Sequence, residues 1–213
     1  MRYPAEEALH TEDSIALRKA QIRRSIRDQR LTLSENEWQV KSALIHQRLF
    51  AQPEFSKAEI IAFYMAIDGE VRTQEMVREA LGQGKKVLIP KLYREADPLL
   101  LSEIRDIDAE LKRGPWGILE PREQYLRPIP LAEVELIIVP AVAFDVKGGR
   151  VGFGKGYYDR MLARAGGSVR LIGLAFEFQV VPEVPQLAHD ISVHKIITEE
   201  RVIWCGLTLE VSL

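Results

Sequence analysis

Apolar positions recur along this chain in two rhythms, one helical and one strand-like. From Ser14 onward Ile15, Ile22 and Ile26 return at helical spacing among Lys19, Arg23, Arg24 and Arg27, which predicts a first helix behind a loose tail of residues 1–13. Ser34-Glu-Asn-Glu37 has a hydroxyl at a cap position and a carboxylate three residues on, the capping-box pattern that opens a helix. That second helix carries Trp38, Ile45 and Leu49 on one face and should end before Pro53. Ile60–Ile67 is nearly all apolar, as in a strand covered on both faces. Asp68-Gly69 marks a turn. A helix from Thr73 to Leu81 follows, closed by Gly82 or Gly84, and then a short buried strand, Val87–Ile89, stopped by Pro90.

Residues 93–130 hold five prolines, Pro98, Pro115, Pro121, Pro128 and Pro130, and predict a loop-rich excursion with one short strand around Leu99–Leu101. Irregular stretches of this length in a compact domain are often functional. Buried-strand patterning returns at Leu136–Val139. A glycine-rich loop comes next, then a helix from about Tyr157 to Ala165 stopped by Gly166-Gly167, a strand at Val169–Ala175 and a last strand at Lys195–Thr198. Strands separated by helices imply parallel pairing. The expected fold is therefore Rossmann-like α/β: a mostly parallel sheet flanked by helices on both faces, in three layers. With no repeat, low-complexity segment or boundary signal, residues 1–213 are expected to form a single domain.

Composition narrows the function classes only a little. At 213 residues with a net charge of −2, the chain suits one core and has no need of nucleic acid or an anionic membrane as partner; a monomer is expected. The single cysteine, Cys205, cannot form an internal disulfide. The N-terminus is acidic and lacks the apolar stretch of a secretory signal, and runs such as Leu136–Phe144 are too short to span a bilayer. A cytoplasmic location is the expectation.

The chemistry concentrates in Gly149-Arg-Val-Gly152-Phe-Gly154-Lys155-Gly156-Tyr-Tyr-Asp159-Arg160. Alternating glycines permit backbone conformations that side chains block. Their amides can converge on an anion, a helix start behind them adds positive potential, and Arg150 and Lys155 add full charges. A polyphosphate fits this set, although a surface loop with glycines at its turns would carry the same pattern. It is not a P-loop, because Gly156 rather than Ser or Thr follows Lys155. Nor is it a dinucleotide fingerprint, because Tyr157 stands where the third glycine belongs. Tyr157 and Tyr158 could pack on a planar ring, and Asp159 could hold a metal beside phosphates.

Pro140-Ala-Val-Ala-Phe144-Asp145 followed by Gly149–Arg160 resembles the signature of the 5-formyltetrahydrofolate cyclo-ligase (5,10-methenyltetrahydrofolate synthetase) family. The resemblance extends over nearly the whole chain, through Lys19–Arg30, Met65–Thr73, Ile89-Pro90-Lys91 and Trp116-Gly117-Ile118-Leu-Glu120-Pro121. It implies ATP-dependent conversion of 5-formyltetrahydrofolate to 5,10-methenyltetrahydrofolate, with ADP and phosphate released. It implies Lys19, Arg23, Arg150, Gly152, Phe153, Gly154, Lys155, Gly156, Tyr157 and Tyr158 as the ATP site, with Lys155, Arg150 and Tyr157 at the reacting groups. Met65, Glu70, Trp116 and Tyr157 are implied as folate contacts, and Asp159 and Asp190 as Mg²⁺ ligands. An acid is common in the family where His194 stands, so no metal is assigned to His194. Two other readings remain open at this point: a sugar-phosphate or acyl-CoA-handling enzyme on a related scaffold, and a non-catalytic folate- or nucleotide-binding protein.

Overall fold

A computed structural model describes residues 12–67, 69–93, 99–114 and 117–206. Its centre is a sheet of seven strands. Four are β1 (Ile60–Ala62), β2 (Lys86–Leu92), β3 (Leu99–Ile104) and β6 (Leu136–Val139); three more are β9 (Arg170–Leu174), β11 (Lys195–Ile197) and β12 (Val202–Trp204). The spatial order is β12-β11-β9-β6-β1-β2-β3. The five inner strands pair in parallel, while β3 and β12 close the two edges antiparallel.

Alternation along each inner strand feeds two cores. Ile61, Val87, Ile89, Leu136, Ile138, Ile172 and Ile197 face one side. Ala62, Leu88, Ile137, Val139, Leu171 and Ile196 face the other, as period-two geometry requires. The first core is covered by Ile45 and Leu49 of α2 (Glu35–Phe50), Phe55 of α3 (Pro53–Lys57), and Met76, Val77 and Ala80 of α4 (Gln74–Gly82). The second takes Met161 and Leu162 of α6 (Tyr157–Leu162) and Phe144. Helices thus lie on both faces, as expected.

Local signals behave as their chemistry dictates. Ser34 and Glu37 form the full capping box at the start of α2. Gly84, at φ +79°, ends α4: its N–H reaches Leu81 O and that of Lys85 reaches Ala80 O, the Schellman pairing.

Several expectations are corrected. The Ile60–Ile67 strand stops at Ala62. The rest stays buried because side chains take over its backbone bonds: Ala66 N–H donates to Thr73 Oγ1 and Ile67 N–H to Glu70 Oε2. Pro90 does not stop β2, which runs to Leu92. Phe63 N–H donates to Leu88 O, so Leu88 and, two residues on, Pro90 turn their peptide groups toward β1, which has already ended; no ladder bond is lost there.

The proline-rich stretch is more ordered than expected. β3 spans six residues, and α5 (Ile107–Glu110) leads into a hairpin of β4 (Leu111–Arg113) and β5 (Leu119–Pro121). Residues 12 and 13 belong to the first helix, α1 (Glu12–Arg30), rather than to a tail, and residues 1–11 lie outside the described residues. The last strand is β12, not β11, and α6 ends at Leu162. Among the described residues no helix is long and apolar enough to cross a membrane.

A second, small sheet carries the glycine-rich segment. β7 (Ala143–Asp145) pairs antiparallel with β8 (Arg150–Val151) and parallel with β10 (Val180–Val181). It sits tight on the main sheet: a Cβ added at Gly173 of β9 would lie 2.5 Å from Phe144 Cζ, and Phe144 is fully buried. Gly173→Ala should therefore cost about 1–3 kcal/mol by overpacking. Urea denaturation reads this directly, and an unchanged midpoint would mean that the small sheet is free to shift.

Candidate functional site

The carboxyl ends of β6, β1 and β2 open into one cavity of about 510 Å³, the place where open α/β sheets hold ligands and a size that suits a small molecule. Pro140 follows β6, Tyr64 and Met65 follow β1, and Pro90 and Leu92 close β2; all five line it. Every candidate from the sequence lines it too, except Trp116, which lies outside the described residues.

The β7–β8 turn is built around one carboxylate. Asp145 Oδ1 accepts the N–H groups of Lys147 and Gly149 at 3.0 and 2.9 Å, and Oδ2 accepts that of Val184 at 2.8 Å. Arg150 therefore lies in a strand and not in the loop, buried, with Nε donating to Ile191 O at 3.1 Å and its guanidinium paired with Asp159 Oδ1. The loop proper is 152–156. Gly154 (φ +94°) and Gly156 (φ +65°) occupy the left-handed region, which explains glycine at these two positions. Lys155 between them is exposed, while α6 behind them has only six residues. The cavity's positive charge thus resides mainly in side chains rather than in a helix terminus.

α1 supplies two of those charges. Ile22 and Ile26 pack with Val142, Ala143, Val151 and Val184, which turns Lys19 and Arg23 onto the loop. Arg23 Nε donates to Gly152 O at 2.8 Å, and Lys19 pairs with Asp190. Burial works against the charge on Asp190, but the Leu187 N–H and the Lys19 ammonium outweigh it and hold its carboxyl below the usual range.

Asp159 and Asp190 both border the cavity. Asp159 Oδ1 and Asp190 Oδ2 carry the bonds these carboxylates make to described residues, and among those residues Asp159 Oδ2 and Asp190 Oδ1 have no partner. Among the described residues no cluster of three or more metal-ligating side chains exists. A pair of carboxylates beside an anion loop fits Mg²⁺, which is commonly held by one or two carboxylates plus substrate phosphates. His194 does not line the cavity; its Nδ1 accepts the N–H of Leu171 at 3.0 Å.

Glu70 occupies the β1 portion. Gly69, at φ +78°, sits against the Arg30 side chain and turns the chain so that Glu70 points inward. Its backbone carbonyl takes Trp38 Nε1–H at 2.6 Å, and Oε2 takes the Ile67 N–H at 3.0 Å. Burial pushes its carboxyl up to about 7, against the smaller downward pulls of the Ile67 N–H and the Arg30 guanidinium. Tyr158 is raised by burial and by Glu70. A second cavity of about 440 Å³ adjoins the first, sharing Arg23 and Phe153 and adding Arg27, Arg30, Trp38 and Val142 to its lining.

Sequence reasoning missed Tyr64, Pro90, Leu92, Ile118, Glu120 and His189 as lining residues. Two carried a readable signal: Pro90 stands at the end of a buried strand, and Glu120 lies inside the Trp116–Pro121 motif.

The architecture defines a class: α/β proteins with a cavity at the carboxyl ends of a mostly parallel sheet. The profile of the 5-formyltetrahydrofolate cyclo-ligase family matches residues 16–199. The 5-formyltetrahydrofolate cyclo-ligase of Haemophilus influenzae is 32% identical over 181 residues, covering 84% of this chain and 97% of that one. The mouse (Mus musculus) protein of the same name is 29% identical over 191 residues, covering 85% and 94%. Among solved structures, the 5,10-methenyltetrahydrofolate synthetase of Aquifex aeolicus superposes with a TM-score of 0.77 at 36% identity, covering 88% of this chain and 93% of that one. The synthetase of Mycoplasma pneumoniae, at 23% identity and a TM-score of 0.69 over 85% and 99% of the two chains, shares the fold. The chain belongs to the 5-formyltetrahydrofolate cyclo-ligase family of enzymes, and not to the sugar-phosphate or acyl-CoA-handling enzymes that the sequence left open.

Glu70 makes stability depend on pH. Its folded carboxyl titrates near 7 and an unfolded one near 4.5, so its contribution is complete below about pH 4.5 and is lost as pH rises through 7. Urea denaturation of the ligand-free protein should show wild type losing about 2–3 kcal/mol more than Glu70→Gln between pH 5 and pH 8. Parallel pH profiles for the two proteins would place Glu70 in water.

Proposed function

We propose that the protein converts 5-formyltetrahydrofolate to 5,10-methenyltetrahydrofolate with ATP as co-substrate, releasing ADP and phosphate. The observation that carries this reading is a single cavity with two opposed characters, in a chain of this family. Lys19 and Arg23 of α1, Arg150 of β8 and Lys155 of the glycine loop gather on one side, and apolar walls around Glu70 form the other.

The formyl carbon is a poor electrophile because N5 donates into its carbonyl. Transfer of the γ-phosphoryl group to the formyl oxygen makes that oxygen a leaving group. N10 then attacks the carbon, its N–H proton is lost, the C–O bond breaks, and phosphate departs. Phosphoryl transfer of this kind needs positioning and charge neutralisation above all. In this reading Lys19, Arg23, Arg150 and Lys155 neutralise the phosphates, and the amides of Gly152, Phe153, Gly154 and Gly156 line their path. Tyr157 and Tyr158 pack against the ligands. A Mg²⁺ held by Asp159 and Asp190 would offset phosphate charge. α1 closes over the loop and keeps water from the activated formyl group. Met65 and Trp116 flank the pterin, and Glu70 accepts from its amino-amide edge, where its proton leaves as the donors arrive. We also propose a single domain acting in the cytoplasm without nucleic-acid or membrane partners, as a monomer.

Adding 5-formyltetrahydrofolate to the enzyme should produce the absorbance change of the methenyl product only when ATP is present; no change, or one without ATP, overturns the proposal. Lys155→Ala should weaken ATP binding by about 1.5–3 kcal/mol, the worth of one charge-assisted contact, with a smaller effect on folate. Separate titrations of the two ligands decide this, and an unaltered ATP affinity removes Lys155 from the phosphate site. Glu70→Gln turns one acceptor into a donor facing a donor. Turnover should fall at least tenfold, about 1.4 kcal/mol in the barrier, with ATP affinity retained; a fully active variant means the folate lies elsewhere.

A further inference from the structure

Glu120 is a second buried carboxylate in the same cavity, and nothing above gives it work. It is only 7% exposed and sits on β5. One oxygen, Oε2, accepts the Leu92 N–H at 3.3 Å. Oε1 makes no hydrogen bond to any described residue, and Glu120 lines the cavity, so this oxygen is available to a ligand there. The position is constructed rather than incidental. Oε1 lies where a Cβ at Gly114 would come within 2.1 Å of it, so the absence of a side chain at Gly114 makes room for the carboxylate. Its surroundings in the cavity are otherwise apolar: Pro90, Leu92, Leu99, Ile118 and Leu119. Lys91, the buried cation nearest in sequence to Leu92, is committed elsewhere, to Pro121 O and Glu123.

Its place along the sheet points to the ligand. The strand order β6-β1-β2 sets the glycine loop beyond β6, Glu70 after β1, and Glu120 beside the end of β2. The formyl oxygen must meet the phosphates at the loop, so the ring system extends from there across β1 toward β2. A tetrahydropterin has two N–H-bearing edges: one offers N3–H with the 2-amino group, the other N8–H beside the N1 acceptor. One carboxylate can serve only one edge. Resting on the folate reading above, we infer that Glu120 accepts the N8–H edge while Glu70 serves the other, making Glu120 a specificity-determining residue for the reduced ring. In a fully oxidised pterin N8 has no hydrogen and presents a lone pair, which a carboxylate repels and to which an amide N–H donates.

The test compares tetrahydrofolate and folic acid as competitive inhibitors of wild type and Glu120→Gln, with ATP affinity and thermal melting measured on the same preparations. Wild type should prefer tetrahydrofolate. Glu120→Gln should lose at least tenfold of that preference, with ATP affinity within twofold and a cooperative melt. If that variant folds poorly, Gly114→Ala, which displaces the carboxylate without altering its charge, should show the same loss. An unchanged preference in a folded variant overturns the inference, and so does a loss confined to ATP, which would give Glu120 to the adenine. A wild type that does not convert 5-formyltetrahydrofolate sinks the reading beneath it; a wild type that converts while the preference survives sinks this inference alone.

Discussion

A guanidinium buried on the second strand of a short hairpin holds the cavity together. Arg150 reaches Ile191 O with Nε and Asp159 with its terminal nitrogen, so the hairpin, α6 and the segment before β11 converge on one charge. Burying a cation is costly without partners, and removing either partner leaves the other uncompensated. Asp190 adds to the same field and is tied to Lys19 of α1. Through the Lys19–Asp190 ion pair and the Arg23 Nε–H donated to Gly152 O, 129 residues on, the N-terminal helix is fastened to the glycine loop. The fixed geometry of the anion side follows from those pairings and from the Asp145 turn beneath them.

The cavity is polarised along the carboxyl ends of the strands. Cations, with Asp159 and Asp190 among them, gather where β6 gives way to the glycine loop, and Glu70 and Glu120 stand where β1 and β2 end. That polarity follows from the sheet order, since β1 lies between β6 and β2. It also accounts for the elevated carboxyl of Glu70: apolar walls desolvate it, and Arg30 only partly compensates. The same apolar walls that raise a carboxyl in the empty pocket strengthen any hydrogen bond it forms to a ligand donor.

Much of this was legible beforehand, for identifiable reasons. The capping box at Ser34, the Leu136–Val139 strand and the α4 stop at Gly84 are local signals whose partners lie within a few residues. Glycine at 154 and 156 was legible because the left-handed backbone there excludes side chains. The strand that breaks off at Ala62, the passage of Pro90 through β2, and the order hidden among the prolines of 93–130 were not. Each depends on a partner the local pattern does not reveal: the Thr73 and Glu70 side chains for the first, the early end of β1 for the second, and pairing with β2 for β3.

The sequence by itself determined the five inner strands, the helices α1, α2, α4 and α6, the two-faced apolar patterning and the family, because these are written in periodicity and in one contiguous motif. It also nominated most of the polar side chains of the cavity, all but Tyr64, Glu120 and His189. Only the tertiary structure decided which of those groups are already satisfied and which are left over. Asp145, part of the same motif, spends both oxygens on the hairpin turn and on Val184 N–H. Glu120, passed over in its own motif, keeps one oxygen unpaired beside the cavity. Hydrogen-bond satisfaction is a property of three-dimensional neighbours, and residues far apart in sequence settle it only once the sheet has set its strands side by side.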